Sequence, residues 1–336
     1  MHFRRFAYPS PAGEGGESDR EVGQYLLRRL LLSVPVLFVV SVVIFAGVRM
    51  IPGDVCRLVL QTPDVDQAQC DRVLRGLGLD KPAVTQYLHW SGNVLRGDFG
   101  VSMISHRSVW GEIQDRMALT GELAVLAAAI AVILAAPIGI YSALRQDQFA
   151  DYGLRILTVG WLSMPAFFVA TLLITFPAKW WGYSPPVGYV PPWIDPLKNL
   201  QQLYLPAISL ALSLSATLAR LTRSSMLEVL HQDYVRTARA KGLRDGIVMF
   251  RHALKNAMLP IVTLFGLQLG FLLGGTVVLE SVYALPGLGT LLLNSVITKD
   301  YTQIQGVVLF FAVIIILINL LVDMSYAWLD PRVKYG

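Results

Sequence analysis

The chain has 336 residues, of which 54% are hydrophobic and 15% are charged, against roughly 25% charged in an ordinary soluble domain. That balance excludes a disordered chain and a small disulfide-stapled secreted domain. The formal net charge is +5, but the lysines and arginines lie between apolar runs and form no single basic face, so nothing points to a nucleic-acid partner.

Residues 1–20 are rich in Pro, Gly, Ser and acidic groups and read as a disordered leader. They are not a cleavable signal peptide, because the apolar run comes late and lacks a small-residue cleavage site. Residues 21–332 read as one membrane domain. The first span covers about 27–48, behind Arg28 and Arg29.

The loop 49–118 is too long for a hairpin. A short helix is expected over 65–77, and Tyr87 and Trp90 are expected to lie on the bilayer surface or on the bundle. Glu112 and Asp115 precede the helix that enters the second span. Cys56 and Cys70 share this loop, and a disulfide and two free thiols both remain open. His89 and His106 also lie here, but their spacing is no metal signature.

Further spans are expected at about 119–144, 154–176, 203–219, 257–279 and 304–328. Each approaches the ~20 residues needed to cross a hydrocarbon core, and such continuous runs exclude barrel strands. The result is an all-α, polytopic membrane protein with about six transmembrane helices. The fourth span is rich in Ser and Ala, which suits a helix that faces other helices. Pro35, Pro137, Pro165, Pro206 and Pro260 fall inside spans and mark bending points.

Gly266, Gly270 and Gly274 recur every four residues in the fifth span, a stripe for close packing within the subunit or at a gate. Three acids, Glu122, Glu280 and Asp323, sit near span ends. Such acids are either solvated and paired or functional. Glu280 is the better placed candidate for a translocation path, as partner to the amino end of a zwitterionic solute.

With the N-terminus inside, the inner segments carry 17 of the 28 lysines and arginines, and most of the rest fall in the long first loop. Long loops count little in the orientation rule, so both termini are expected in the cytoplasm.

The inner segment 220–256 carries eight Lys and Arg against Glu228, Asp233 and Asp245. Two short helices around a turn are expected. Asp233 would cap the first, Tyr234, Ala238 and Lys241 recur at helical spacing, and Gly242 ends it. Leu243 would close a hydrophobic contact, and a second helix over about 245–256 would lead to Pro260. Such a segment either plugs into a cytosolic protein or lies on anionic lipid.

Here the chain resembles the inner-membrane permeases of the dipeptide/oligopeptide (peptide/nickel) branch of ATP-binding-cassette importers, of the first-permease type. The resemblance is carried by DYVRTARAKGL at 233–243 and RHALKNAMLPIVT at 251–263. Other pieces follow in order: LLRRLLLSVPVLFVVSVVIF at 26–45, PGD at 52–54, GLDKPAVTQYLHW at 78–90 and RGDFGVS at 96–102. LPAISLAL at 205–212, Glu280 with PGLG at 286–289, NSVITKDYTQIQG at 294–306 and DPR at 330–332 complete the set. The general importer signature begins Glu-Ala-Ala with its glycine nearer the following proline. Here Arg236, Thr237 and Ala238 stand in that register and Gly242 lies further from Pro260, a departure that narrows the branch.

The resemblance implies a type I importer permease fold and a coupling helix that docks on an ATPase. The matching residues are Asp233, Tyr234, Arg236, Thr237, Ala238, Arg239, Lys241, Gly242 and Leu243, with Ala238 and Gly242 central. It also implies a second homologous permease, two ATPase subunits or domains carrying ATP and Mg, an external solute-binding protein, and a bacterial inner-membrane location. The chain has no GxxxxGK[ST] phosphate loop and no HExxH or GxSxG element, so no catalytic site is expected in it. Dipeptides or oligopeptides are the expected cargo. Nickel, glutathione or a small glycan is the alternative, and an ion-driven carrier fits worse because of the coupling segment.

Overall fold

A computed structural model describes residues 14–50, 56, 66–76 and 80–329. The helices, in chain order, are α1 (Glu14–Arg49), α2 (Gln67–Gly76), α3 (Ala83–Val94), α4 (Val109–Leu144), α5 (Phe149–Ser163), α6 (Ala166–Trp181), α7 (Pro196–Leu230) and α8 (Asp233–Ala240). They continue as α9 (Lys255–Val282), α10 (Leu288–Ile297) and α11 (Tyr301–Leu329). Among the described residues five helices are long and apolar enough to cross a membrane, and α5 with α6, bent by 99° at their junction, form either a broken sixth span or a re-entrant loop.

The bend is where Pro165 was expected to act. Met164 is extended, as a residue before proline prefers, and Pro165 starts α6 without an amide to donate. Pro35, Pro137, Pro206 and Pro260 instead stay inside α1, α4, α7 and α9.

α7 is the centre of the bundle. Of its most apolar stretch, 72% is buried, against 11–33% for the other four long spans. It pairs most extensively with α4, through Leu119, Leu123, Ala127 and Ala131 on one side and Leu203, Ala207, Ala211 and Leu218 on the other. Small side chains let two backbones approach where lipid offers no hydrophobic drive. At Gly139 of α4 a Cβ would lie 2.5 Å from Cβ of Thr222, so only glycine fits there. α1 packs at the rim on α11 and is mostly exposed along its apolar run, as a lipid-facing helix should be.

Two expectations need correction. The leader was expected to be disordered to residue 20, yet α1 begins at Glu14; helix extension from a formed span adds one hydrogen bond per residue fixed. Residues 1–13 lie outside the described residues, as do PGD at 52–54 and DPR at 330–332. The helix α10, between α9 and α11, was not foreseen; at 10 residues it is too short to cross and dips back into the bundle end.

In the long loop, α2 falls where a helix was expected. Tyr87 and Trp90 of α3 pack on Phe45 of α1, so they face the bundle. Ser41 and Tyr87 share a hydrogen bond of 2.8 Å. Cys56 and Cys70 are joined as a disulfide, with Cα atoms 5.1 Å apart.

Candidate functional site

The connectivity gives the bundle two ends. One carries residues 145–148 and 231–254 and is called the Asp233 end. The other carries the loops before α4, α7 and α11 and is called the Glu280 end.

At the Asp233 end α8 stands off the bundle as an eight-residue helix. Val235 and Ala238, three apart on one face, are buried against Val248, Val229 and Leu230. Tyr234, Arg236, Thr237, Arg239 and Lys241 are exposed. Ala238, expected at the centre of a docking contact, therefore faces the chain's own core. The Tyr234 hydroxyl accepts a hydrogen bond from Nδ2 of Asn256 at 2.8 Å, which ties α8 to the first turn of α9.

Gly242 ends the helix at φ +78°, as expected. Its amide donates to Arg239 and that of Leu243 reaches back to Ala238, the closure a left-handed residue permits. Two details differ. Asp233 is not the cap: Gln232 holds that position, and the Asp233 carboxylate, without a cap bond, lies 3.9 Å from Arg236. Its charge still sits at the favourable end of the helix. Leu243 stays 38% exposed. After a turn at Asp245–Ile247 the chain forms a π-helical segment, Val248–Leu254, and enters α9 without a break. The expected second helix is thus the first part of a span.

A buried ion pair braces this end. Asp151 of α5 is fully buried and takes both Nε (2.8 Å) and an Nη (2.6 Å) of Arg223 of α7. The Ser142 hydroxyl of α4 and the Asp147 amide complete its shell. Three helices are pinned by one carboxylate, which meets the requirement that a buried charge be paired and hydrogen-bonded. The sequence reading missed this pair. Its signal was faint: the two opposite charges flank the third and fourth spans at the same end of the bundle.

At the other end Glu280 is also fully buried. Its carboxylate accepts from Thr120 Oγ1 at 2.7 Å and from the Thr290 amide at 2.9 Å. It thereby caps α10, whose first amide, at Leu288, donates to Thr120. Glu280, the acid expected on a translocation path, is here fully buried and engaged by these donors. The PGLG glycines follow from it: a Cβ on Gly287 would fall 2.3 Å from the Glu280 carboxyl carbon, and one on Gly289 2.4 Å from the Val277 backbone.

Asp300 is nearly as buried, accepting from Ser102 at 2.5 Å and from the Gln303 amide at the start of α11. Glu122 of α4 holds the loop before α7 by accepting from Tyr189 (2.9 Å) and Asn199 (3.1 Å). Burial, then the bond to Glu122, push the Tyr189 phenol up from its ordinary value. Asp323 pairs with Arg29 at 3.3 Å.

The glycine stripe divides. A Cβ on Gly266 would fall 2.4 Å from Val322, so Gly266 seats α11 within the subunit. Gly270 has ordinary contact with Ile315, and Gly274 has nothing within 4 Å. Around Gly274 the exposed face of α9 carries Leu267, Phe271 and Val278. Beside it a cleft of about 180 Å3 is lined by Ser213, Gln268, Phe271 and Gly275. A larger cavity of about 480 Å3 among α4, α7, α9 and α11 is lined by Val132, Leu218, Phe265 and Ile318 and suits hydrocarbon, not a charged solute. Among the described residues no group of three His, Cys, Asp or Glu could hold a metal ion.

Two family patterns cover nearly the whole chain. "Binding-protein-dependent transport system inner membrane component" matches residues 135–335, and the N-terminal component of the same system matches 22–124. The chain is 42% identical over 311 residues to the glutathione transport system permease protein GsiC of Escherichia coli strain K12, covering 93% of this chain and 99% of that one. It is 43% identical over the same span to the protein of that name from Pectobacterium atrosepticum. Its fold is similar to that of the MetNI methionine ABC transporter in an inward-facing conformation, with TM-score 0.52, 16% identity, and 65% of this chain and 96% of that chain covered. The chain therefore belongs to the binding-protein-dependent inner-membrane permeases: multi-pass, non-catalytic subunits of ATP-binding-cassette importers, in the branch for peptides, nickel and glutathione.

Proposed function

We propose that this chain is one of two permease subunits of an importer for glutathione. The observation that carries the reading is the end-to-end match to permeases of glutathione transport. It favours glutathione, one of the alternatives read from the sequence, over the dipeptide or oligopeptide cargo.

The second permease packs on the α9 face around Gly274, where Leu267, Phe271 and Val278 are exposed. The solute passes along that contact, beside Ser213 and Gln268, whose uncharged hydrogen-bonding groups suit a polar peptide without trapping it. The Asp233 end faces the cytoplasm, both termini lie there, and the exposed side of α8 docks on an ATP-hydrolysing subunit. An external binding protein delivers the solute to the Glu280 end. Nucleotide-driven closure of the ATPases biases two states of the paired permeases. The packing of Val235 and Ala238 on Val248, and the hydrogen bond between Tyr234 and Asn256, carry the movement of α8 into α9.

Uptake into vesicles holding the full complex and its binding protein tests the cargo. ATP-dependent accumulation of labelled glutathione, not competed by dipeptides, is expected. Uptake of dipeptides with no glutathione accumulation overturns the cargo and leaves the family unaffected.

A further inference from the structure

Val132, Leu218 and Ile318 lie in the second halves of α4, α7 and α11, and Met258 lies in the first half of α9, so the cavity of about 480 Å3 that they line sits toward the Asp233 end. Its lining carries no charge, and its two hydroxyls are spent within their own helices. Thr222 donates to the Leu218 carbonyl at 2.8 Å and Ser325 to that of Val322 at 2.6 Å. A cavity holds water only where it offers about two to four polar partners, and this lining leaves no side-chain donor free. Left unfilled, the space would forfeit dispersion contacts on every wall. Its mouth is marked by Val132 of α4 and Leu321 of α11, 43% and 65% exposed, beside the exposed Ile133 and Leu317. The face of α9 that lines it, with Met258, Ile261 and Phe265, points away from Leu267, Phe271 and Gly274, where the second permease is placed.

We propose that this cavity holds one acyl chain of a bilayer phospholipid, drawn from the leaflet at the Asp233 end. Phospholipid chains are the solvent at the mouth, and the mouth stays open to them when the second permease occupies the far face of α9. An apolar cavity of ~150 Å3 takes one benzene ring, so a volume about three times as large takes roughly eighteen carbons, the size of one long acyl chain. The chain lies against Leu254, the last residue of the π-helical segment, and against Met258 one turn further on. That segment carries Val248, on which Val235 and Ala238 of α8 pack. Hydrocarbon thus backs the joint between α8 and α9, and π-helical turns are frequent at such functional joints. The inference rests on the chain spanning a membrane, and on neither the cargo nor the orientation.

The test is photolabelling of the full-length chain, assembled with its partner subunits, in vesicles of phosphatidylethanolamine and phosphatidylglycerol. The probe is a phosphatidylethanolamine with a diazirine midway along one acyl chain. Label is expected on Phe265 and Ile318 inside the cavity as well as on Ile133 outside it. Val262→Trp on α9 and, separately, Ala136→Phe on α4 fill the space, and each should abolish label at Phe265 and Ile318 while Ile133 stays labelled. Label on Ile133 with none on Phe265 and Ile318 in the unaltered chain would overturn the proposal, as would inner label that survives both filling variants. Loss of the inner label to unlabelled palmitate, at a level that leaves Ile133 labelled, would assign the space to a free fatty acid and equally overturn it.

Discussion

The two ends of the bundle are built on opposite plans. At the Glu280 end, buried and half-buried carboxylates bind loops and helix starts: buried Glu280 holds α10, buried Asp300 holds the turn at Ser102, and half-buried Glu122 holds the loop at Tyr189. At the Asp233 end one buried pair, Asp151 with Arg223, braces α4, α5 and α7, and beyond it α8 rests on two buried side chains, Val235 and Ala238. The first plan closes an end against water and lipid. The second leaves a short basic helix on the surface while fixing the spans behind it. A membrane protein can thus seal one end with charge and expose charge at the other, because burial with partners and exposure to solvent both satisfy it.

Substitutions should separate the plans by size. The largest effect is expected for Arg223→Ala, which strands the fully buried Asp151 and should cost about 3–5 kcal/mol. The unfolding midpoint of the purified chain reports it, and Asp151→Asn in the same background should recover part of the loss. Next is Glu280→Ala, which leaves the Thr290 amide and Thr120 hydroxyl without their acceptor and should cost about 3 kcal/mol. Enhanced amide exchange confined to α10 would confirm that the carboxylate is a cap. Unchanged exchange there would remove that role. Gly266→Leu drives a side chain into Val322 and should cost about 1–3 kcal/mol. Gly274→Leu should leave the isolated chain's stability intact and instead impair assembly with the second permease. The smallest effect is expected at Gly242→Ala, about 1 kcal/mol for the left-handed backbone, visible as fraying of α8 alone.

Much of this was legible in the sequence because membrane spans are written as long apolar runs. The five long spans were located, the third expected span fell on the bent pair α5 and α6, and the Ser- and Ala-rich span near Leu210 proved to be the buried centre. The glycine at 242 announced its own conformation. What was not legible has one common cause: it depends on pairs far apart in the chain. Thr120 meets Glu280, Ser102 meets Asp300, and Asp151 meets Arg223, and no local pattern names such partners. The burial of Glu280 among these partners was for that reason not foreseen. Ala238 was read as central to the coupling motif, and the three-residue interval to Val235 buries both on the inner side of α8.

The central claim is that the exposed side of α8 engages the nucleotide-hydrolysing subunit. Thr237, exposed on that side, is the position to examine. With Thr237→Cys in the reconstituted complex, a short bifunctional reagent should join this chain to the ATPase subunit, with a yield that changes when ATP is bound. A cysteine at 237 that is labelled only from the outer face of the membrane, or that never joins the ATPase in any nucleotide state, would contradict the account.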